Sequence, residues 1–234
     1  MNEYATSFGN SAADALPADR AKFIRKTYLL LAAAILAFVV IEFVIFATGY
    51  ADDIAVTFLG SQYSWLIVLG AFMGMSFLAN WWANSTSSSA VQYLGLGLYV
   101  IAEAVIFVPL IFIAAVYSDA SVIPKAGIVT LGLFLGITAT VFLTRTDFSF
   151  LGPIVAIGGF AALGFIAASI LFGFSLGSIF AFVMVAFAGT AILYNTSKVL
   201  HNYNTNQHVA AALTLFAGIA LLFWYILSIF SSRD

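Results

Sequence analysis

Glu42, in VVIEFVIF, and Glu103, in LYVIAEAVIFVP, are the two acids that fall well inside long apolar runs. A charge at mid-bilayer costs about 2.5–3.5 kcal/mol on insertion scales, so such residues are expected to turn toward a protein interior. Counted from Thr27 and Val91, where their runs begin, they lie roughly 22 and 18 Å along helices that point the same way. Two carboxyls at one height could share a proton or hold a cation between them. The structural alternative is that each is protonated, or bonded to a backbone carbonyl, and only packs.

Two other polar stretches could carry chemistry. FLTRTDFSFLGP places Arg145 and Asp147 in a tight loop. Asp147 there is expected to cap the helix that begins near Phe148, whose first amides need acceptors. ILYNTSKVLHNYNTNQH places Asn195 close to the end of an apolar run and sets His201 and His208 on either side of a polar loop. Two histidines without a nearby carboxylate or thiol make a poor metal site. The chain has no cysteine, which removes disulfides, thiolate metal sites and cysteine nucleophiles. No nucleophile elbow accompanies its serines. The expectation is therefore no enzyme, no resident metal and no cofactor.

The elements that hold these residues are set by composition. Of 234 residues 63% are hydrophobic and 8% charged, against about 25% charged in soluble domains. So much apolar surface requires lipid as solvent. The net charge of −2 offers no basic field for nucleic acid. A span needs roughly 17 to 25 apolar residues, and seven runs qualify: Thr27–Thr48, Tyr63–Asn80, Val91–Tyr117, Ala126–Leu143, Phe150–Phe174, Ser178–Val199 and Val209–Phe230. The fold class is an all-α bundle of seven transmembrane helices, 27–234, behind a polar and disordered segment, 1–26. Arg20, Lys22, Arg25, Lys26, Arg145 and Lys198 fall on one side, and Lys125 and Arg233 on the other. That bias puts the N-terminus in the cytoplasm. The pairs Gly70/Gly74, Gly132/Gly136 and Gly173/Gly177 have the spacing that lets helices approach, and they read as packing within the bundle. Pro109 is expected to bend the third span.

GLGLYVIAEAVIFVPL, VFLTRTDFSFLGP, ILYNTSKVLHNY and AALTLFAGIALLFWYIL together resemble the Bax inhibitor family of seven-span membrane proteins, which has bacterial members. The resemblance covers nearly the whole chain after the polar N-terminus. It implies a bundle whose last helix is surrounded by the other six. It also implies a pH-dependent Ca²⁺ leak sensed by two aspartates, on the sixth and seventh helices, which pair with an arginine of the second. Other bacterial relatives restrain a membrane-anchored, ATP-dependent protease.

At the matching positions this chain has Asn195, in LYNT, and Gly218, and no Lys or Arg occurs from Tyr63 to Tyr93. The three changes agree physically, because an arginine without its acids would be an unpaired buried charge. Asn195 can hydrogen-bond but cannot titrate, and is expected to satisfy neighbouring groups. The expectation is a cation leak in the inner (plasma) membrane without the aspartate sensor, its path lined by Glu103, Glu42 and Asn195. The alternative is a non-transporting regulator of a membrane protein, using the polar N-terminal segment. Oligomeric state is not legible.

Overall fold

The first helix shows how the chain separates lipid from protein. In α1, Pro17–Ala47, the buried positions are Phe23, Thr27, Leu31, Ala34, Phe38 and Glu42, spaced by three or four residues along one stripe. Ile24, Tyr28, Leu30, Ile35, Ile41 and Phe46 flank that stripe and pack against the core, and the rest of the helix faces outward. The computed structural model describes residues 11–85 and 88–232. After α1 come α2 (Tyr50–Leu59), α3 (Gln62–Ala83), α4 (Ser89–Tyr117), α5 (Val122–Thr144), α6 (Gly152–Phe172, entered through a 3₁₀ turn at Ser149–Leu151), α7 (Gly177–His201) and α8 (His208–Ser231). All but α2 are long and apolar enough to cross a membrane, and these seven coincide with the seven apolar runs.

Three boundaries differ from the sequence reading. The polar segment 1–26 does not stay outside the fold: α1 begins at Pro17, a residue suited to a helix start, and its buried stripe begins at Phe23. Residues 11–16 form a turn in which the Ala12 amide donates to the Tyr203 carbonyl at 2.8 Å, with Ala12 fully buried. Residues 1–10 lie outside the described residues. The second difference is α2, where ten residues after the left-handed Gly49 form a short helix with Asp52 and Asp53 in its first turn. Those acids suit the positive end of the helix dipole. Too short to span, the segment gives no membrane signal.

The third difference concerns the glycines. A Cβ placed on Gly70, Gly74, Gly132 or Gly136 would meet nothing within 4 Å, while Gly173 and Gly177 have positive φ outside or at the edge of helices. None of the three pairs packs helices together. The close approach is made instead at Gly95 of α4, where a Cβ would lie 2.6 Å from the Ala79 carbonyl oxygen and 2.7 Å from the Ala83 amide of α3.

At the centre stands α8. Val209, Ala210, Ala211, Ala212 and Leu213 are buried consecutively, so this helix is enclosed on every side. It packs against α1, α3, α4, α5 and α7. Of the six other spans α6 packs on it least, its main contacts being with α7 and α3. Pro109 sits inside α4 without ending it.

Gly95→Ala is expected to lower thermal stability in detergent by about 1–3 kcal/mol, because the contacted atoms are backbone and cannot move aside. Gly70→Ala and Gly74→Ala should be neutral or stabilising by about 0.5–1 kcal/mol each, from helix propensity alone. Equal losses at all three positions would refute this packing scheme.

Candidate functional site

Where α6 packs only loosely toward α8, a cavity of about 750 Å³ lies between α3, α4, α6, α7 and α8. Along α8 its lining runs from Leu213 to Ser228, roughly 22 Å at 1.5 Å per residue. The walls are mainly apolar, but polar side chains enter from each helix: Asn80, Glu103, Ser169, Asn195, Thr214 and Ser228. Glu103 is the one acid among the lining residues, and no Lys or Arg lines the cavity. Asn195 and Gly218 border the same space. Three of the positions singled out in the sequence are thus brought together.

Glu103 is only 6% exposed. Its closest polar company is Tyr99, one turn earlier on α4, whose hydroxyl also reaches toward Ser76 of α3. The sequence reading passed over Tyr99, although its spacing of four from Glu103 places both on one helical face. Asn195 is half-buried, and its side chain makes no hydrogen bond to any described residue. The expectation that it satisfies neighbouring groups is therefore corrected: its amide is left to the cavity. Gly218 is buried against Ile192, whose Cγ1 would lie 3.0 Å from a Cβ at 218. The position that the resemblance gives to an acid is here closed by an isoleucine.

Glu42 does not join this group. It lines a separate cavity of about 240 Å³ between α1, α4, α5 and α8. Between the two cavities stands Phe107 of α4, its ring stacked on Phe223 at 5.7 Å and edge-on to Phe38 at 5.1 Å and to Trp224 at 5.0 Å. The contact of Phe38 with Phe107 also fixes relative heights. Glu42 lies one turn beyond Phe38 and Glu103 one turn before Phe107 on helices that run the same way, so the two acids are roughly 12 Å apart along the axis. The equal heights expected from the sequence do not hold, because α1 starts ten residues earlier than its apolar run.

Beside Asn195 a polar seam crosses α1, α5 and α7. The hydroxyls of Thr27, Tyr28, Thr138 and Thr196 are buried there, with Tyr28 turned toward Thr138 and Thr196. No periodicity in the sequence marks them.

The end of the bundle below Asn195 is tied together by the loop of residues 145–148. Asp147 accepts from the Ser149 amide at 2.9 Å and the Ser149 hydroxyl at 2.6 Å, and Ser197 of α7 donates to it at 3.3 Å. The Ser197 hydroxyl in turn accepts from the Phe148 amide at 2.8 Å. Asp147 thus serves the first amide of the 3₁₀ turn from one residue before the N-cap, Phe148. Arg145 ends α5 in a left-handed conformation, φ 53°, the one non-glycine residue with positive φ among the described residues. Lys198 lies over the rings of Tyr194 and Tyr203 at 5.4 and 5.3 Å. His208 shares a 3.1 Å hydrogen bond with the Tyr93 hydroxyl. Among the described residues no three His, Cys, Asp or Glu side chains gather as a metal site would require.

The family model described as "Inhibitor of apoptosis-promoting Bax1" matches residues 20–234. The chain belongs to the Bax inhibitor family. An uncharacterised protein of Pseudomonas aeruginosa is 30% identical over 70% of this chain and 72% of its own length. Protein LIFEGUARD 4 of Arabidopsis thaliana is 27% identical over 91% of the chain and 85% of its own length. Bax inhibitor 1 of Schizosaccharomyces pombe is 27% identical over 90% of the chain and 76% of its own length. Asn195 and Gly218, the positions singled out through the resemblance, lie on the wall of one cavity.

The loop lock gives a pH signature. Hydrogen bonds from Ser149 hold the Asp147 carboxyl below its ordinary range, with His201 and Ser197 adding to the effect. A carboxyl depressed in the folded state contributes stability above its unfolded pKa and loses that contribution as pH falls through the folded value. Asp147→Asn is expected to lower the melting temperature at neutral pH. The gap to wild type should close as pH drops below the normal aspartate range, about 3.9. A gap that is constant from neutral to acid pH would refute the role of the charge.

Proposed function

We propose that this Bax inhibitor family protein is a cation leak of the bacterial inner membrane, with its N-terminus in the cytoplasm and Ca²⁺ among the ions it passes. The observation that carries the reading is the long cavity with Glu103 as its single acid and no basic side chain on its walls. Acidic groups lining a pathway favour cations. Oxygens of Tyr99, Asn195 and Thr214 add neutral ligands along the same wall. A tight Ca²⁺ site wants six to eight oxygens, more than this lining brings together, and a leak needs weak binding in order to release the ion. Glu42 is left out of the path by the Phe107 wall.

The proton switch of the family has no counterpart in this reading. Asn195 cannot titrate, and Ile192 fills the space beside Gly218. The regulator alternative loses part of its motive, because residues 11–16 are engaged with the chain's own α7–α8 loop.

Reconstituted in liposomes with an entrapped Ca²⁺ dye, the wild type should show flux above empty vesicles, and Glu103→Gln should reduce it by about tenfold, since it removes the path's only charge. Asn195→Asp alone should leave the pH profile of flux unchanged, for want of a partner at 218. Flux no greater than that of empty vesicles at every pH would end the proposal.

A further inference from the structure

The long cavity ends about one helical turn short of a charge. On α7 its last lining residue is Asn195, on α8 its first are Leu213 and Thr214, and on α6 its first is Val155. Just beyond this rim stands Lys198, three residues after Asn195, a spacing that makes them neighbours on the helix surface. Lys198 is half-buried, with its Nζ 5.4 Å from the centre of the Tyr194 ring and 5.3 Å from that of Tyr203. Ring faces attract a cation at such distances. Among the described residues no carboxylate forms an ion pair with it.

The two tyrosines are themselves fixed across the rim. The Tyr194 ring lies against Gly152, the first residue of α6, where a Cβ would come 3.2 Å from the Tyr194 hydroxyl. Tyr203 is held at both ends. Its carbonyl accepts from the Ala12 amide at 2.8 Å, and its hydroxyl shares a 3.0 Å hydrogen bond with Thr214 on the cavity wall. Tyr194, Lys198 and Tyr203 thus form a layer from the start of α6 to the second turn of α8, at the end of the space that these helices leave between them.

We propose that Lys198 is the charge that guards this end of the cavity against cations, and that it sets the preference of the path between monovalent and divalent ions. An aromatic face carries no net charge, so the tyrosines hold the ammonium without cancelling its field as a carboxylate would. A fixed positive group repels a cation that must pass close to it, and the repulsion grows with the charge of the ion. Positive side chains form barriers of this kind in pores. Glu103 draws cations into the cavity, and Lys198 limits their passage at the α7 end, Ca²⁺ more than K⁺. The effect on flux rests on the cation-path reading, whereas the guard over access to the cavity does not.

The test uses the full chain in liposomes and two measurements. The first is flux of Ca²⁺ and of K⁺. Lys198→Gln should raise Ca²⁺ flux about tenfold and K⁺ flux about threefold, because a barrier proportional to ionic charge enters the rate as an exponent. Lys198→Arg should match wild type. The second is labelling of Asn195→Cys, in a chain that otherwise has no cysteine, by cationic and anionic methanethiosulfonates added on the Lys198 side. Rates are corrected for reactivity with a free thiol. With Lys198 present the anionic reagent should react faster, and Lys198→Gln should raise the cationic-to-anionic ratio about tenfold. Should Lys198→Gln fail to fold, the labelling preference with Lys198 in place carries the test. No anionic preference, a ratio unmoved in the folded variant, or equal gains in Ca²⁺ and K⁺ flux would overturn the assignment. Absence of flux from every protein, with the ratio still moved, would end the leak reading and leave Lys198 as the guard of the cavity.

Discussion

Lipid cannot hydrogen-bond, and the polar side chains within the described spans are arranged around that fact. Helix α8 provides the answer. It is enclosed by α1, α3, α4, α5 and α7 and creates the inward-facing surface that Glu42, Glu103, Asn195 and the threonine seam need. Its residues near the start are small, with Ala210, Ala211 and Ala212 in succession, which lets neighbouring helices approach from all sides. Without α8 the two glutamates would face hydrocarbon, at a cost that few helices of this length could carry.

The second determinant is a ring. Phe107 meets Phe38, Phe223 and Trp224, and their edge-on and stacked contacts are favourable arrangements for aromatic groups. Together they divide the interior in two. On one side lies a long cavity with a single acid and several neutral oxygens. On the other lies a short pocket with a single acid and hydrocarbon. The same residue type thus sits in two unlike environments, and the walls, not the carboxyl itself, tell them apart.

The third determinant is what α6 fails to do. It rests on α7, where Gly158 admits the Phe187 ring so closely that a Cβ there would lie 2.6 Å from it, and it leaves the space beside α8 open. At the C-terminal end of α7 the cavity stops above a loop in which the Ser149 and Ser197 hydroxyls both donate to Asp147. Asn195 and Gly218 fall between these features. They bring an amide side chain with no hydrogen-bond partner and a glycine packed on Ile192, and neither can titrate.

Much of this was legible in the sequence. The seven spans, the family and the two deep acids follow from hydropathy and motif, which depend on residues close together in the chain. The short α2 and the true start of α1 escaped, because a ten-residue helix and a polar helical extension give no membrane signal. The spacing of glycines misled, since three residues between them says only that they share a face and not which face is inside. What the tertiary structure alone decided is which acid meets which wall. Glu42 and Glu103 look alike in sequence, each a lone acid in a run of branched and aromatic residues. Their separation depends on the contact of Phe38 with Phe107, residues 69 positions apart in the chain, and on α6 packing only loosely toward α8. Pairings over such distances are fixed by packing against shared neighbours, and no local pattern encodes them.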